Sequence, residues 1–483
     1  MVQKTEASPR GLALATLLAL ARGKYGNLAV DATLRRVVLS DPDRHLYTVL
    51  VYGVTERQTT LDYLIGRFSD RPVEELDETV RMALRLGLYQ LVYLDRVPDH
   101  AAIHETVALV PRRVSGYVNA VLRAYLRFEE SLAGGSAGGN AAAPPRENRL
   151  DTPAAWADRF PELATDPMRA ASVAYGMPEA LCALFTDTFG AEEAGRLMAA
   201  FCRKPPLTLR TNTLRTDRDS LLASLTAAGL EAAPGLYAPE AIRVQEGAVV
   251  DLPAFAAGDF FVQDEASQLC VQALDARPGM TVVDTCACPG SKSFGAALSM
   301  GNSGAVHAFD LHESKLSLVR SGAARLGLTV ITADQRDARC PDPTLYGRAD
   351  RVLCDVPCSG LGVLAKKPEI RHKDLSAARH LPAIQREILE RSAAYVKTGG
   401  LLVYSTCTLL PAENSQVVGA FLADHPDFVP DDFACPPLPG AGEGMPPVAS
   451  RGGMVTLTPH RNGTDGFFIA RMRRVGKEGV THD

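Results

Sequence analysis

From about residue 255 onward the chain alternates short apolar runs with longer stretches of helical periodicity, and that alternation admits few folds. The runs Thr281–Asp284, Ala305–Phe309, Leu328–Thr332, Arg351–Cys354 and Gly400–Ser405 are each strand-sized and end in polar turns. Between them, Ser314–Leu326 and Ala377–Val396 carry apolar residues at helical spacing. Buried strands alternating with helices predict a doubly wound parallel sheet, a Rossmann-like fold in which ligands bind outside the carboxyl ends of the strands.

Three of these strand ends carry chemistry. Thr281-Val282-Val283 leads into Asp284-Thr285-Cys286-Ala287-Cys288-Pro289-Gly290-Ser291-Lys292. Arg351-Val352-Leu353-Cys354 leads into Asp355-Val356-Pro357-Cys358-Ser359-Gly360, and Leu401-Leu402-Val403-Tyr404 into Ser405-Thr406-Cys407. Two thiols at two such ends face one crevice. The Pro289-Gly290-Ser291-Lys292 turn is neither a P-loop nor a G-x-G-x-x-G fingerprint. It still suits the first strand-to-helix turn of a nucleotide-type fold, where Gly290 permits close backbone approach and a helix N-terminus favours an anionic group. A carboxylate for ribose hydroxyls belongs at the end of the second strand, roughly 20 residues further on, and Asp310 fits. Asp334 and Asp337 compete for an adenine edge at the third strand. Asp337 is preferred for its Asp337-Ala338-Arg339 context. A lone acid in such a loop is often a helix cap; several at successive strand ends favour a cofactor.

The 483 residues exceed one ordinary domain. Ten cysteines are scattered without a disulfide framework, which suggests reduced thiols and a cytoplasmic protein. No apolar run approaches the roughly 18 residues of a membrane span. Leu12–Leu20 is apolar but is followed by Arg22 and Lys24 and by continuing helical periodicity, so no signal peptide is expected. The net charge of -5 argues against nucleic-acid binding, but local basic clusters at Arg203-Lys204, Lys366-Lys367 and Arg371-His372-Lys373 outweigh the total. The last two are either a solvated face or phosphate contacts. A zinc site finds little support, since no C-x-x-C pair exists and the histidines are scattered.

The chain divides by pattern into residues 1–132, 133–150, 151–254 and 255–475. The first part reads as a helical bundle: Leu12, Leu14, Leu17, Leu18 and Leu20 repeat with helical spacing, as do Val80, Leu84, Leu88 and Leu91, and Tyr47, Leu50, Val51 and Val54 suit one face of another helix. Asp77 caps the start of the last helix and Pro98 lies beyond its end. Gly134–Pro145 is low-complexity and reads as a flexible tether. The third part is small and α/β, with a strand at Pro206–Asn212, a helix at Arg218–Ala228 and a strand around Ala241–Val244. Arg210 and Asn212 there are either RNA contacts or satisfied structural polar residues.

Two resemblances organise these observations. Leu84-Arg85-Leu86-Gly87-Leu88-Tyr89-Gln90-Leu91, Ala101-Ala102-Ile103-His104-Glu105 and Gly116-Tyr117-Val118-Asn119-Ala120-Val121-Leu122-Arg123 resemble a NusB-like RNA-binding domain. Phe261-Val262-Gln263-Asp264-Glu265-Ala266-Ser267, Asp284–Lys292, Asp355–Gly362, Lys367-Pro368-Glu369-Ile370, Tyr404-Ser405-Thr406-Cys407 and Pro411-Ala412-Glu413-Asn414-Ser415 resemble the motifs of RNA cytosine-C5 methyltransferases of the Nol/Nop/Sun type. The segment over residues 151–254 resembles the RNA-recognition-like (RRM-like) segment that precedes their catalytic domain. The whole arrangement is similar to bacterial 16S rRNA (cytosine-C5)-methyltransferases of the RsmB/Sun family.

The resemblance implies S-adenosyl-L-methionine as cofactor, held by Cys286, Ala287, Cys288, Pro289, Gly290, Ser291, Lys292, Asp310, Asp337 and Asp355. It implies Cys407 as nucleophile and Cys358 in product release. Addition of a thiolate to C6 of cytosine makes C5 enamine-like, which suits covalent catalysis by cysteine. Asp355 stands where an acid would hold the ring at N3 and the amino group. The expected partner is small-subunit rRNA, naked or partly assembled, bound by a monomer without metal or membrane. A non-catalytic RNA-binding or assembly factor is the alternative, and a DNA cytosine methyltransferase a third. The family pattern Cys-Ala-Ala-Pro-Gly-Gly-Lys is altered here at Cys288 and Ser291. Ser291 is expected to strain a backbone that glycine adopts more easily, at the expense of cofactor affinity.

Overall fold

The computed structural model describes residues 8–22, 26–133, 150, 152–245, 247–441 and 445–476. The tether expected at Gly134–Pro145 lies outside them. The chain forms two compact units, Met1–Arg203 with Leu364–Lys373, and Lys204–Val363 with Asp374–Asp483. No helix among the described residues is long and apolar enough to cross a membrane.

The first unit is helical. Ser40 and Asp77 open the helices Asp41–Glu56 and Glu78–Tyr93 with side chains that accept backbone N–H bonds, satisfying donors that a helix leaves orphaned. Their apolar stripes, Tyr47, Leu50, Val51 and Val54 on one and Val80, Leu84, Leu88 and Leu91 on the other, are buried. Gln90 is fully buried and bonded to Leu86 O, Thr106 and Arg10, which makes it a packing residue.

The segment Leu364–Lys373, which follows the Cys358 loop in sequence, packs in this unit and forms a short 3-10 turn at Pro368–His372. Arg371 is 1% exposed. Its guanidinium donates to the carbonyl oxygens of Glu56 (3.2 Å), Tyr175 (3.0 Å) and Phe201 (2.7 Å). These are the last residues of the helices Asp41–Glu56, Pro167–Tyr175 and Ala191–Phe201. One cation thus caps three C-termini, where unpaired carbonyls and the negative dipole end converge. The basic cluster read from sequence as a solvated face or phosphate contact is split: Arg371 is a buried cap, His372 stands 3.1 Å from Thr55 O, and Lys373 is exposed.

The second unit holds two sheets. In the smaller, β1 (Leu207–Thr211), β2 (Ala232–Pro234), β3 (Ala241–Val244) and β4 (Phe260–Val262) run antiparallel in the order β2-β3-β1-β4. Leu209, Leu221, Leu225, Ile242, Val244, Val249 and Phe260 fill its core. Arg210 and Asn212 are buried. Asn212 donates to Gly258 O and Leu326 O, and Arg210 faces Gln263, so both serve structure rather than a ligand surface.

The larger sheet contains β5 (Thr281–Asp284), β6 (Ala305–Asp310), β7 (Ile331–Gln335), β8 (Ala349–Asp355), β9 (Val396–Thr406), β10 (Phe428–Pro430), β13 (Met454–Leu457) and β14 (Phe467–Arg474); the intervening β11 (Ala434–Cys435) and β12 (Val448–Ala449) pair only with each other. The order is β10-β14-β9-β8-β5-β6-β7, with β13 beside β14. β5 to β9 are parallel, whereas β14 joins β9 antiparallel. The chain runs outward from β5 through β6 to β7, then returns to the other side of β5 as β8. The switch point therefore lies at β5, where a doubly wound sheet opens its ligand crevice.

Period-two alternation builds the two cores. Val282, Leu353, Val403 and Ile469 face one cluster; Val283, Val352, Leu402, Tyr404 and Phe468 face the other. Two elements are displaced from their expected positions. The third strand is Ile331–Gln335 rather than Leu328–Thr332, because Leu328 is drawn into the core beside Leu326 after the helix ends at Gly327. The helix expected over Ala377–Val396 is Leu381–Ala393, since Pro382 sets its first turn and Val396 already pairs in β9.

Candidate active site

Parallel register sets the strand ends side by side. Asp284 pairs with Ala308 and Leu353, and Asp355 with Ser405. Asp284, Asp310 and Asp355 are the last residues of β5, β6 and β8, and Cys407 follows the last residue of β9. These side chains are brought to one edge.

Gly290 precedes the helix Ser291–Ser299 at φ +112°, so the turn uses a conformation that glycine adopts freely. Ser291 is helical, and it is absent from the positive-φ residues of the described chain; the strain expected of it falls on Gly290 instead. Gln263 donates to Ser291 O and anchors the loop to β4. Asp310 accepts from the backbone N–H of His312 (2.9 Å) and of Cys288 (3.3 Å), which orients its carboxyl over the loop. Asp337 lies two residues past β7, is half-buried, and is gripped by Arg339, whose side-chain bonds hold it below the usual carboxylate range. Asp334 lies within β7 and is exposed.

Lys292 reaches across the crevice to Asp355 Oδ2 at 2.6 Å, and Ser405 donates to Oδ1 of the same carboxyl at 2.8 Å. The ammonium also lies 5.1 Å from the centroid of the Phe467 ring. Burial alone would push Lys292 down, but Asp355 outweighs it, with Cys270 and Cys407 adding, and holds the ammonium above its ordinary value. The sulfurs of Cys358 and Cys407 are 3.2 Å apart. The Cys358 thiol is pushed well up by its hydrogen bond to Cys407, then by burial, Cys407 and the nearby Glu413. Cys286 and Cys288 are pushed up chiefly by burial, the latter to about 12, so neither is a ready thiolate at neutral pH. Among the described residues, no group of three or more His, Cys, Asp or Glu could hold a metal ion.

Gly362 seals the loop behind Cys358. Its N–H donates to Cys407 O (2.9 Å) and its carbonyl accepts from Gly466 N (2.8 Å). A Cβ there would lie 2.0 Å from Gly466 O and 2.8 Å from Cys407 O. Backbone cannot yield cheaply, so Gly362→Ala is expected to separate the two thiol loops. Methyl transfer should then fall about a hundredfold, the cost of misplacing a reacting group by roughly 1 Å. Initial-rate measurements check this.

Asp284 is 1% exposed; Ser293 donates to one carboxyl oxygen, and the other has no hydrogen-bond partner. Burial pushes the group up to about 7 from an ordinary 3.8, against the pull of Ser293. The folded chain therefore holds a proton that the unfolded chain loses, and the contribution of Asp284 to stability falls as pH rises from about 4 to about 7. Asp284→Asn keeps the Ser293 bond and removes the titration. Its stabilising effect, read by urea denaturation, should grow across that window and level off above it.

Some residues of this edge carry no role in the sequence reading. Ser405, Gln263 and Glu413 stand inside quoted motifs, but nothing in their spacing says which group each one reaches. Gln385 had a signal: a polar residue on the buried stripe of helix Leu381–Ala393, beside Ile388 and Leu389.

The mixed sheet with its switch-point crevice defines the second unit as a methyltransferase-type α/β domain, at whose edge two thiols stand together. Three family models match: 16S rRNA methyltransferase RsmB/F over residues 271–473, the NusB family over 7–127, and the RsmF/B-like ferredoxin-like domain over 177–251. The chain is 37% identical over 476 residues to the probable ribosomal RNA small subunit methyltransferase B of Bacillus subtilis, covering 97% of this chain and 99% of that one. It is 33% identical to ribosomal RNA small subunit methyltransferase B of Pectobacterium atrosepticum, covering 90% and 91%. The crystal structure of PH0851 covers 98% of this chain and 100% of its own at TM-score 0.73 and 23% identity, a likeness of fold. A methyltransferase homolog from Pyrococcus horikoshii covers 64% of this chain and 99% of its own at TM-score 0.55 and 27% identity. The chain belongs to the ribosomal RNA small subunit methyltransferase B family.

Proposed function

We propose that the protein is an S-adenosylmethionine-dependent rRNA methyltransferase that modifies C5 of a cytosine in small-subunit rRNA through a covalent bond between Cys407 and C6. The observation that carries the division of labour is the setting of the two sulfurs. The two sulfurs stand 3.2 Å apart, and the hydrogen bond to Cys407, then burial, with Glu413 adding, keeps Cys358 a thiol, so Cys358 donates and Cys407 accepts. The accepting sulfur suits attack, and the protonated one suits release.

The donor set fits the cofactor. Asp310 is already oriented by two backbone N–H groups and retains lone pairs for a ribose diol. The loop Cys286–Lys292 and the helix it opens lie where the amino-acid end would rest, and Asp337 is the candidate for the adenine side. When bound, S-adenosylmethionine would supply an electrophilic methyl group to C5, the S–CH3 bond pair staying with sulfur as S-adenosylhomocysteine leaves. Asp355, fixed by Lys292 and Ser405, accepts from the cytosine amino group, and from N3 when that nitrogen carries a proton as C6 is attacked. Cys407 sulfur bonds to C6 and the displaced π pair enriches C5. After methylation the C5 proton passes to water, its bond pair restores C5=C6, and the S–C6 pair returns to Cys407. Cys358, 3.2 Å away, stabilises that departing thiolate through its S–H.

A base must leave its stack to reach these sulfurs, so the target is an unpaired or extrudable cytosine. The NusB-like helices and the small antiparallel sheet serve as RNA-binding platforms for naked or partly assembled rRNA, and the protein acts as a monomer in the cytoplasm. Transfer of labelled methyl into rRNA from cells lacking the protein, with bisulfite mapping of the product, tests the reading. Failure of purified protein and cofactor to label any cytosine in either naked or partly assembled small-subunit RNA would leave a non-catalytic assembly factor.

A further inference from the structure

We infer that Glu413 is a positioning residue for the release thiol: its carboxyl group holds the backbone after Cys358 directly and the backbone before it through Gln385, and sets that sulfur against Cys407. The inference rests on the two-thiol reading above and adds a residue to which that reading gives no positioning task.

Glu413 is 1% exposed and sits in a short turn, Pro411–Glu413, after β9. One carboxyl oxygen accepts from Ser359 N at 2.9 Å and from Gln385 Nε2 at 2.8 Å. The same Gln385 nitrogen donates to Pro357 O at 2.9 Å. Pro357 and Ser359 are the two neighbours of Cys358, so one acid, with one amide, holds the peptide groups that flank the thiol. The turn is tied in its own right to the Cys407 strand: Tyr404 OH donates to Glu413 O (2.5 Å), and Asn414 bonds to Thr406 Oγ1 (2.6 Å) and Thr408 O (3.0 Å). A direct tie, Ser359 Oγ to Thr408 Oγ1 at 2.7 Å, closes the circuit between the two thiol loops.

Packing alone does not account for an acid here. The second carboxyl oxygen of Glu413 is buried without a hydrogen-bond partner, and so is Oε1 of Gln385. Burying such groups is costly, and an apolar pair of similar volume would fill the same space. The fold carries that cost where two donors must be met by one acceptor beside a reactive cysteine, the arrangement expected of a support for a catalytic group. Glu413 also adds to the pressure that keeps Cys358 protonated, in keeping with a sulfur that stabilises a departing thiolate rather than attacks.

The test compares Glu413→Ala, Glu413→Gln, Gln385→Ala and Cys358→Ala in the full chain, with S-adenosylmethionine and rRNA lacking the modification. First-round methyl incorporation, steady-state turnover and covalent protein–RNA adduct on denaturing gels are read for each. Glu413→Ala should slow turnover about tenfold, the size of one strong hydrogen-bonded contact, while slowing the first round much less and accumulating adduct. Glu413→Gln should release normally, because one amide oxygen can accept both bonds. Gln385→Ala should shift the balance the same way by a smaller factor, and it carries the test if Glu413→Ala does not fold. Equal loss of both rates without adduct, or normal release in Glu413→Ala and Gln385→Ala, overturns the inference while adduct in Cys358→Ala leaves the two-thiol reading standing. Absence of adduct in Cys358→Ala overturns the two-thiol reading itself.

Discussion

Cys407→Ala is expected to abolish methyl transfer, whereas Cys358→Ala completes a first round and then stalls as a covalent protein–RNA adduct. The asymmetry follows from the site's electrostatics. Removing Cys407 removes the sulfur that accepts from Cys358, and no other sulfur replaces it: Cys286, Cys288 and Cys354 are all pushed up by burial, and Cys354 is fully buried. Loss of a nucleophile leaves only binding and orientation, and costs on the order of 10⁴-fold or more in rate. Removing Cys358 leaves the attack intact but takes away the S–H that lies 3.2 Å from the leaving sulfur. Single-turnover labelling separates the two, and a denaturing gel shows the adduct directly. Normal turnover in Cys407→Ala would reverse the assigned roles.

Arg371→Ala is the substitution expected to cost most stability in the first unit. The guanidinium is 1% exposed and serves the terminal carbonyls of three helices. Truncation takes the guanidinium from all three acceptors, of which Tyr175 O keeps the Cys202 thiol as a donor, and leaves a cavity where the side chain lay. The loss should be on the order of 3–5 kcal/mol. Arg371→Lys should recover only part of it, because an ammonium cannot present the forked donors that span three directions. Urea denaturation of both variants provides the measurement, and a loss below about 1 kcal/mol in Arg371→Ala would contradict the capping role. One of these helix ends, that of Pro167–Tyr175, is also served by Arg57 to Ala174 O and Thr60 to Val173 O.

The alternation of apolar runs was enough to read the parallel sheet, and the motif acids and thiols were legible as the ends of its strands. That worked because strand polarity and β–α alternation force successive C-terminal ends to one edge. Boundaries were less legible where the tertiary core competes with local pattern. Leu328 looks like strand from its neighbours, yet the core claims it just past the Gly327 cap of a helix. Arg371 looks like surface charge in any window of sequence, because its three acceptors lie 170 to 315 residues away. Ser291 departs from the family glycine without strain, because the positive φ of the turn is taken by the residue before it.

By itself the sequence determined the α/β architecture of the second unit, the helical character of the first, and the acids and thiols that stand at the strand ends, all of which follow from local periodicity and strand-end position. Only the tertiary structure decided which side chains meet: that Lys292 pairs with Asp355 across 63 residues, that the two sulfurs stand within hydrogen-bond reach across 49, and that Glu413 grips the backbone beside Cys358 across 54. Such pairings depend on how strands are ordered and in what register, a property of long-range packing that leaves no trace in the spacing of the residues it joins.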